Sequence, residues 1–228
     1  LIDLEKAGKI AKKHNLIFHV DNCFCTPYLQ QPIKFGADIV VHSATKFLDG
    51  QGRAMGGIVV GRKELIDEVL FFTKATGPAM SPFNAWVLSK SLETLALRME
   101  RHCLNALKVA QFLEKSLNIL NVSYPGLPSH PSYLIAKKQM RHGGGIVSFE
   151  VKGGIDAGRQ FLNNLKVLSL TANLGDSRTI ATHPASTTHA KLPKEDKLAL
   201  GITDGLIRIS VGLEHHEDII ADIKQALG

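Results

Sequence analysis

Asp21 and Lys46 are the two side chains whose types and positions combine most readily into chemistry. Each comes just after a short apolar run: Leu16-Ile17-Phe18-His19-Val20 precedes the acid, and Ala37-Asp38-Ile39-Val40-Val41-His42 precedes the stretch holding the amine. If both runs are parallel strands, their carboxyl ends form the sheet edge where ligands sit, and an acid and an amine 25 positions apart converge on one crevice. Such a couple can bind a charged ligand and move a proton. Ser43 and Thr45 stand beside the lysine as short hydroxyl donors suited to a phosphate. An ordinary salt bridge and a surface lysine are the competing account, and spacing alone leaves both open.

Other chemistry-bearing residues read as structural. Cys23-Phe24-Cys25 has no second cysteine pair, and cysteines one residue apart in extended chain point in opposite directions, so no metal site is expected. His183 and His189 flank Pro184-Ala185-Ser186-Thr187-Thr188 and read as loop histidines that support the backbone. His215 and His216 open the last helix in solvent, and Cys103 packs inside a long helix. Gly143-Gly144-Gly145 lacks the lysine and hydroxyl of a phosphate loop and the spaced glycines of a dinucleotide fingerprint, so it reads as a turn into a strand.

The elements that must position these residues follow from periodicity. Leu1, Leu4, Ala7, Ile10 and Ala11 recur at helical spacing from the first residue, so the chain reads as part of a longer sequence, with some of any active site upstream. The two apolar runs read as buried parallel strands, Gly56-Gly57-Ile58-Val59-Val60-Gly61 as a third, and residues 62–72 as a helix. This alternation predicts an α/β layer with a mainly parallel sheet. Thr76-Gly77-Pro78 marks a loop, Ser81-Pro82 a helix start, and residues 83–117 a long helix or two joined end to end. Beyond the turn Tyr124-Pro125-Gly126-Leu127-Pro128 the pattern predicts a strand at 146–151, a helix at 157–165, a strand at 167–171, a polar stretch at 173–197, a strand at 206–211 and a final helix at 216–227. That half reads as a smaller α+β domain.

Composition bounds the remaining choices. At 228 residues, 44% hydrophobic and 21% charged, the chain can bury a core, which removes disordered and low-complexity classes. Lys plus Arg of 27 against Asp plus Glu of 21 leaves +6, scattered rather than massed, with only 6% aromatics. Nucleic acid is therefore not the expected partner, and an anionic small molecule suits the balance better. Three cysteines in a chain this long argue for a reducing compartment, so the expected localisation is cytoplasmic. No apolar stretch approaches the ~18 residues of a membrane span.

Val20-Asp21-Asn22-Cys23-Phe24-Cys25-Thr26-Pro27, followed by Gly36-Ala37-Asp38-Ile39-Val40-Val41-His42-Ser43-Ala44-Thr45-Lys46, strongly resembles the pyridoxal-phosphate enzymes of cysteine and methionine metabolism, the cystathionine γ-synthase family. Arg208-Ile209-Ser210-Val211-Gly212-Leu213-Glu214 resembles that family's C-terminal signature. The resemblance implies a fold-type I architecture like that of aspartate aminotransferase, with residues 1–96 as the end of the cofactor domain and 97–228 as the smaller C-terminal domain. It implies pyridoxal 5′-phosphate held as a Schiff base on Lys46, with Asp21 keeping the pyridine nitrogen protonated and the hydroxyls of Ser43 and Thr45 holding the phosphate. Arg208 would receive the substrate α-carboxylate through its two-pronged guanidinium. Lys46, once freed by an amino-acid substrate, would shuttle protons between the α, β and γ positions, a task that needs a neutral amine. The family is usually a homotetramer with each site completed by an adjacent subunit.

Local variants narrow the group. After Lys46, Phe47-Leu48-Asp49-Gly50-Gln51-Gly52-Arg53 places Gln51 and Arg53 where many relatives have a histidine and an aspartate. With Gly77-Pro78-Ala79-Met80-Ser81-Pro82-Phe83-Asn84-Ala85-Trp86, this stretch is most similar to the O-succinylhomoserine sulfhydrylases, which replace succinate with sulfide to give homocysteine. Methionine γ-lyase and cystathionine γ-synthase or lyase are the alternatives within the class. A catalytically silent scaffold or anion-binding protein of the same fold is the alternative outside it. Asn173 stands where many lyases and synthases have serine, and reads either as a helper of Arg208 or as a structural cap. Arg53 either contacts a second substrate carboxylate or pairs with Asp49 or a neighbouring subunit.

Overall fold

A computed structural model describes residues 1–228. In chain order it contains α1 (Leu4–Lys13), β1 (His19–Asp21), α2 (Thr26–Leu29), β2 (Ile39–Ser43), β3 (Gly57–Gly61), α3 (Lys63–Thr76), α4 (Pro82–Leu92), α5 (Leu95–Glu114), β4 (Ile119–Ser123), α6 (Tyr133–Gln139), β5 (Ile146–Val151), α7 (Gly154–Asn164), β6 (Ser169–Leu170), β7 (Ile180–Thr182), α8 (Lys194–Ala199), β8 (Leu206–Ser210) and α9 (His216–Leu227). The fold is mixed α/β. None of the helices is long and apolar enough to cross a membrane.

The first sheet has the order β1-β2-β3. β1 runs parallel to β2, as expected, and Asp21 pairs in register with Val41. β3 is antiparallel to β2, which corrects the mainly parallel expectation. The link between β2 and β3 is a tight turn and a loop with no crossover helix, and a parallel return needs such a crossover. Nor is the whole sheet buried: Val40 is 2% exposed, while Val59 and Val60 on edge strand β3 are 40% and 44% exposed.

The second sheet has the order β4-β5-β8-β7-β6, antiparallel except between β6 and β7. Strict alternation sends Val147, Phe149 and Val151 of β5 and Ile207, Ile209 and Val211 at β8 into one core with residues of α5, α7 and α9. The opposite face of β8 therefore carries Arg208 and Ser210. Two of these strands escape the sequence pattern. β4 begins directly after residues expected to be helical, and β7 is a fully buried three-residue strand inside the stretch read as polar.

The long helical stretch divides at Glu93 and Thr94 into α4 and α5, the end-to-end alternative. Ser81 caps α4 by accepting from the Asn84 N–H, with Pro82 in its first turn. α5 joins two cores: Leu95, Met99 and Cys103 pack beside Phe47 and Leu48, whereas Ala106, Val109, Ala110 and Leu113 pack against the second sheet.

Candidate active site

Asp21 closes β1 at the sheet edge, and its carboxylate accepts from the Cys23 N–H at 3.0 Å. Partial burial alone would raise its pKa, but the Cys23 thiol and N–H, with His19 and His42 nearby, hold it below the usual carboxylate range. The Cys23 sulfur in turn accepts from the Ser43 N–H at 2.7 Å. Asp21, Cys23 and Ser43 thus form one stitched edge across the ends of two parallel strands. The Ser43 and Thr45 hydroxyls are 2.6 Å apart and half-buried, leaving further lone pairs and a proton for an anionic group.

Beyond Ser43 the chain enters a tight turn over Ala44–Leu48, in which Lys46 breaks from helical geometry at φ −95° and ψ −135°. The Lys46 Nζ donates to Asn173 Oδ1 at 3.0 Å. The Asn173 main-chain carbonyl accepts from Arg208 Nη2 at 3.4 Å, beside that of Ala172 at 3.2 Å. Asn173 therefore sits between the amine and the guanidinium, touching the first with its side chain and the second with its backbone. Burial lowers the Arg208 pKa, although a guanidinium stays charged at any working pH.

The strap from Ala172 to Ser177 lies between the lysine turn and β8. Its Gly175 N–H donates to Ser210 Oγ at 2.8 Å and its Ser177 N–H to the Gly50 carbonyl at 2.8 Å. Gly175 has φ +78°, and a Cβ there would lie 2.6 Å from the Phe47 nitrogen and 2.8 Å from the Lys46 carbonyl carbon. Only glycine lets the strap approach so closely.

Arg53 pairs with Asp49, whose side chain is fully buried, at 2.9 Å, and donates to Ser91 Oγ at 2.6 Å. Of its alternative partners, Asp49 is the one the structure shows. His183 supports its loop as expected, contacting Ser186 Oγ and the Asp204 carbonyl at 2.8 Å each. His189 contacts the Thr188 hydroxyl at 2.9 Å. Burial pushes the thiols of Cys25 and Cys103 up to about 11 and about 12. No three His, Cys, Asp or Glu side chains cluster as metal ligands. A cavity of about 560 Å³ between α5 and α6 contains none of the site residues.

Two supports went unread in the sequence. Asn22 donates to the Thr26 and Gln30 carbonyls at 3.1 and 2.9 Å and accepts from Gln30 Nε2 at 2.9 Å, and Gln30 accepts from Gln139 at 3.0 Å. Arg98 donates to the Phe47 and Leu48 carbonyls just past the lysine, at 2.6 and 3.2 Å. A signal for the second existed: Arg98, His102 and Asn105 share the face of α5 that carries its apolar residues.

Comparison with known proteins places the chain among enzymes of one family. The family model described as Cys/Met metabolism PLP-dependent enzyme matches residues 1–228. The chain is 50% identical over 227 residues to an O-succinylhomoserine sulfhydrylase of Pseudomonas aeruginosa, covering 100% of this chain and 56% of that protein. It is 51% identical over 230 residues to an L-methionine gamma-lyase of Fusobacterium nucleatum subsp. nucleatum, covering 100% of this chain and 58% of the lyase. It is 47% identical over 228 residues to a cystathionine beta-lyase of Lactococcus lactis subsp. cremoris, with 100% and 60% covered. The chain thus spans somewhat more than half the length of these curated relatives.

Proposed function

The chain belongs to the Cys/Met metabolism PLP-dependent enzyme family, and on that premise we propose that the whole protein replaces the succinyl group of O-succinyl-L-homoserine with sulfide, giving homocysteine. The observation that carries this reading is the thread from Lys46 through Asn173 to Arg208, beside the edge formed by Asp21, Ser43 and Thr45. Such a thread and edge would set an amine, a carboxylate receptor, an acid and a hydroxyl pair around one ligand.

These groups fit pyridoxal phosphate by their chemistry: an amine for the aldehyde, a carboxylate for a ring nitrogen and two hydroxyls with spare capacity for a phosphate. When bound, the cofactor supplies an electron sink for charge developing at the substrate carbons. Lys46 would anchor it and carry protons between substrate carbons. Asp21, kept ionised, would hold the positive charge of the ring nitrogen, and Ser43 and Thr45 would orient the phosphate. Arg208 would grip the substrate α-carboxylate. Asn173 would fix the amine while its backbone orients Arg208.

Residues 1–96 would complete a cofactor domain of fold type I, and 97–228 would form the smaller domain. The homotetramer implied by the family resemblance would cover exposed aromatic surface on α3 and α4, where Phe71, Phe72, Phe83 and Trp86 are 77%, 66%, 68% and 59% exposed. The identity to methionine γ-lyases, as high as that to the sulfhydrylase, favours elimination from methionine as the second reading.

The deciding experiment gives the full natural protein O-succinyl-L-homoserine with sulfide and cysteine in competition, and methionine separately, reading products by mass spectrometry beside Lys46→Ala. Homocysteine as the dominant lysine-dependent product is the expected result. Cystathionine would indicate the synthase and 2-oxobutanoate from methionine the lyase. No conversion, with no borohydride-trappable cofactor on Lys46, would leave the silent scaffold.

A further inference from the structure

We propose that Arg98, His102 and Asn105 on the buried face of α5 are positioning residues that set the spacing between the Lys46 turn and the chain following Arg208. The meaning of this spacing for catalysis rests on the function proposed above.

The three are spaced i, i+4 and i+7, so they lie along one stripe of a rigid helix spanning about 10 Å. They are 7%, 0% and 0% exposed, and each binds main-chain carbonyls outside its own helix. Arg98 holds Phe47 at 2.6 Å and Leu48 at 3.2 Å, directly after the lysine. His102 Nδ1 contacts the Val211 carbonyl at 2.6 Å, and because a carbonyl only accepts, Nδ1 carries the proton. Asn105 holds Gly212 at 2.9 Å and Glu214 at 2.8 Å. One end of the stripe therefore grips the lysine turn and the other grips the segment that leaves β8.

Packing reinforces the link. A Cβ on Gly50 would run into the Arg98 guanidinium, and the Phe47 ring stands edge-on to His102 with centroids 5.1 Å apart. Burying a guanidinium and two polar rings or amides among Met99, Cys103 and Phe47 is a costly way to stabilise a helix, because apolar residues of similar size do it without desolvation. What polar groups add at these sites is direction: they specify where particular carbonyls lie. That information matters where an amine and a carboxylate receptor must keep a fixed separation, since a shift of about 1 Å can cost on the order of 100-fold in rate.

The test compares Arg98→Lys, Asn105→Ser and the exposed control Lys108→Ala in the full natural protein, by hydrogen exchange and by steady-state kinetics. Arg98→Lys should speed exchange in the lysine turn and its continuation, 44–50, by about tenfold while sparing 211–214, and Asn105→Ser should do the reverse. Arg98→Lys should lower kcat on the order of 100-fold with little change in KM, whereas Asn105→Ser should chiefly raise KM. The control should match wild type. If both variants loosen both segments alike, or neither segment, the proposal is overturned. Should Arg98→Lys fail to fold, the Asn105→Ser exchange pattern decides alone. Absence of trappable cofactor on Lys46 in the wild-type protein would instead overturn the functional reading beneath it, and the exchange pattern would still decide the positioning claim.

Discussion

His102 is the residue at which burial, charge and pH meet most directly. Full burial holds its pKa down to about 4, against an ordinary 6.5, with the Val211 carbonyl offsetting only part of the effect. The unfolded chain therefore binds a proton more readily, so the stability due to neutral His102 is complete above pH 6.5 and is lost as the pH falls towards 4. The full difference is about 3 kcal/mol. Urea midpoints of the full protein should fall across that window, and His102→Asn, which keeps an amide donor for Val211 without a titrating ring, should flatten the slope. An unchanged slope would remove His102 as its source. At Gly175, positive φ and the 2.6 Å approach to Phe47 make Gly175→Ala cost about 1–3 kcal/mol, read from the same midpoints, and it should loosen cofactor retention because the strap presses on the lysine turn. The buried Cys103, with its raised pKa, should resist iodoacetamide at neutral pH and react only on unfolding.

Among the elements, α9 shows how one carboxylate ties a helix to a distant loop. Asp222 accepts from the backbone N–H groups of Lys166, Val167 and Leu168 at 2.8 to 3.2 Å, and from Gln225. Burial would raise its pKa, but these donors hold it below the carboxylate range. Asp222→Ala strands backbone donors at the entry to β6, that of Leu168 buried, and should destabilise the second sheet by about 1–3 kcal/mol, measured by urea unfolding. A loss below about 1 kcal/mol would mean that water replaces the carboxylate. Elements with a clean period were readable: α1, α3, α9, β5 and β8 fall where the sequence pattern puts them. β4 and β7 were not, because a three-residue strand such as Ile180–Thr182 has no period and exists only through its partners β6 and β8.

Across the whole molecule, the two halves are joined by α5 and by a chain of buried amides. Gln139 on α6 donates to Gln30 Oε1 and to the Ile2 carbonyl, both at 3.0 Å, and accepts from the Leu4 N–H at 3.1 Å, while Gln30 continues the chain to Asn22 beside Asp21. Gln139→Leu should cost about 1–3 kcal/mol by stranding these partners, and hydrogen exchange should show 2–4 and 22–30 loosening together. Residue order alone was enough to place the chain in its family and to offer Asp21, Ser43, Thr45, Lys46 and Arg208 as candidates, because each lies in a contiguous motif whose spacing survives in one dimension. The direction of β3, the pairing of Arg53 with Asp49, the place of Asn173 between Lys46 and Arg208, and the stripe on α5 needed the folded chain. These depend on contacts between residues tens of positions apart, where the deciding quantity is which carbonyl or carboxylate arrives within hydrogen-bonding distance, and local pattern carries no record of that.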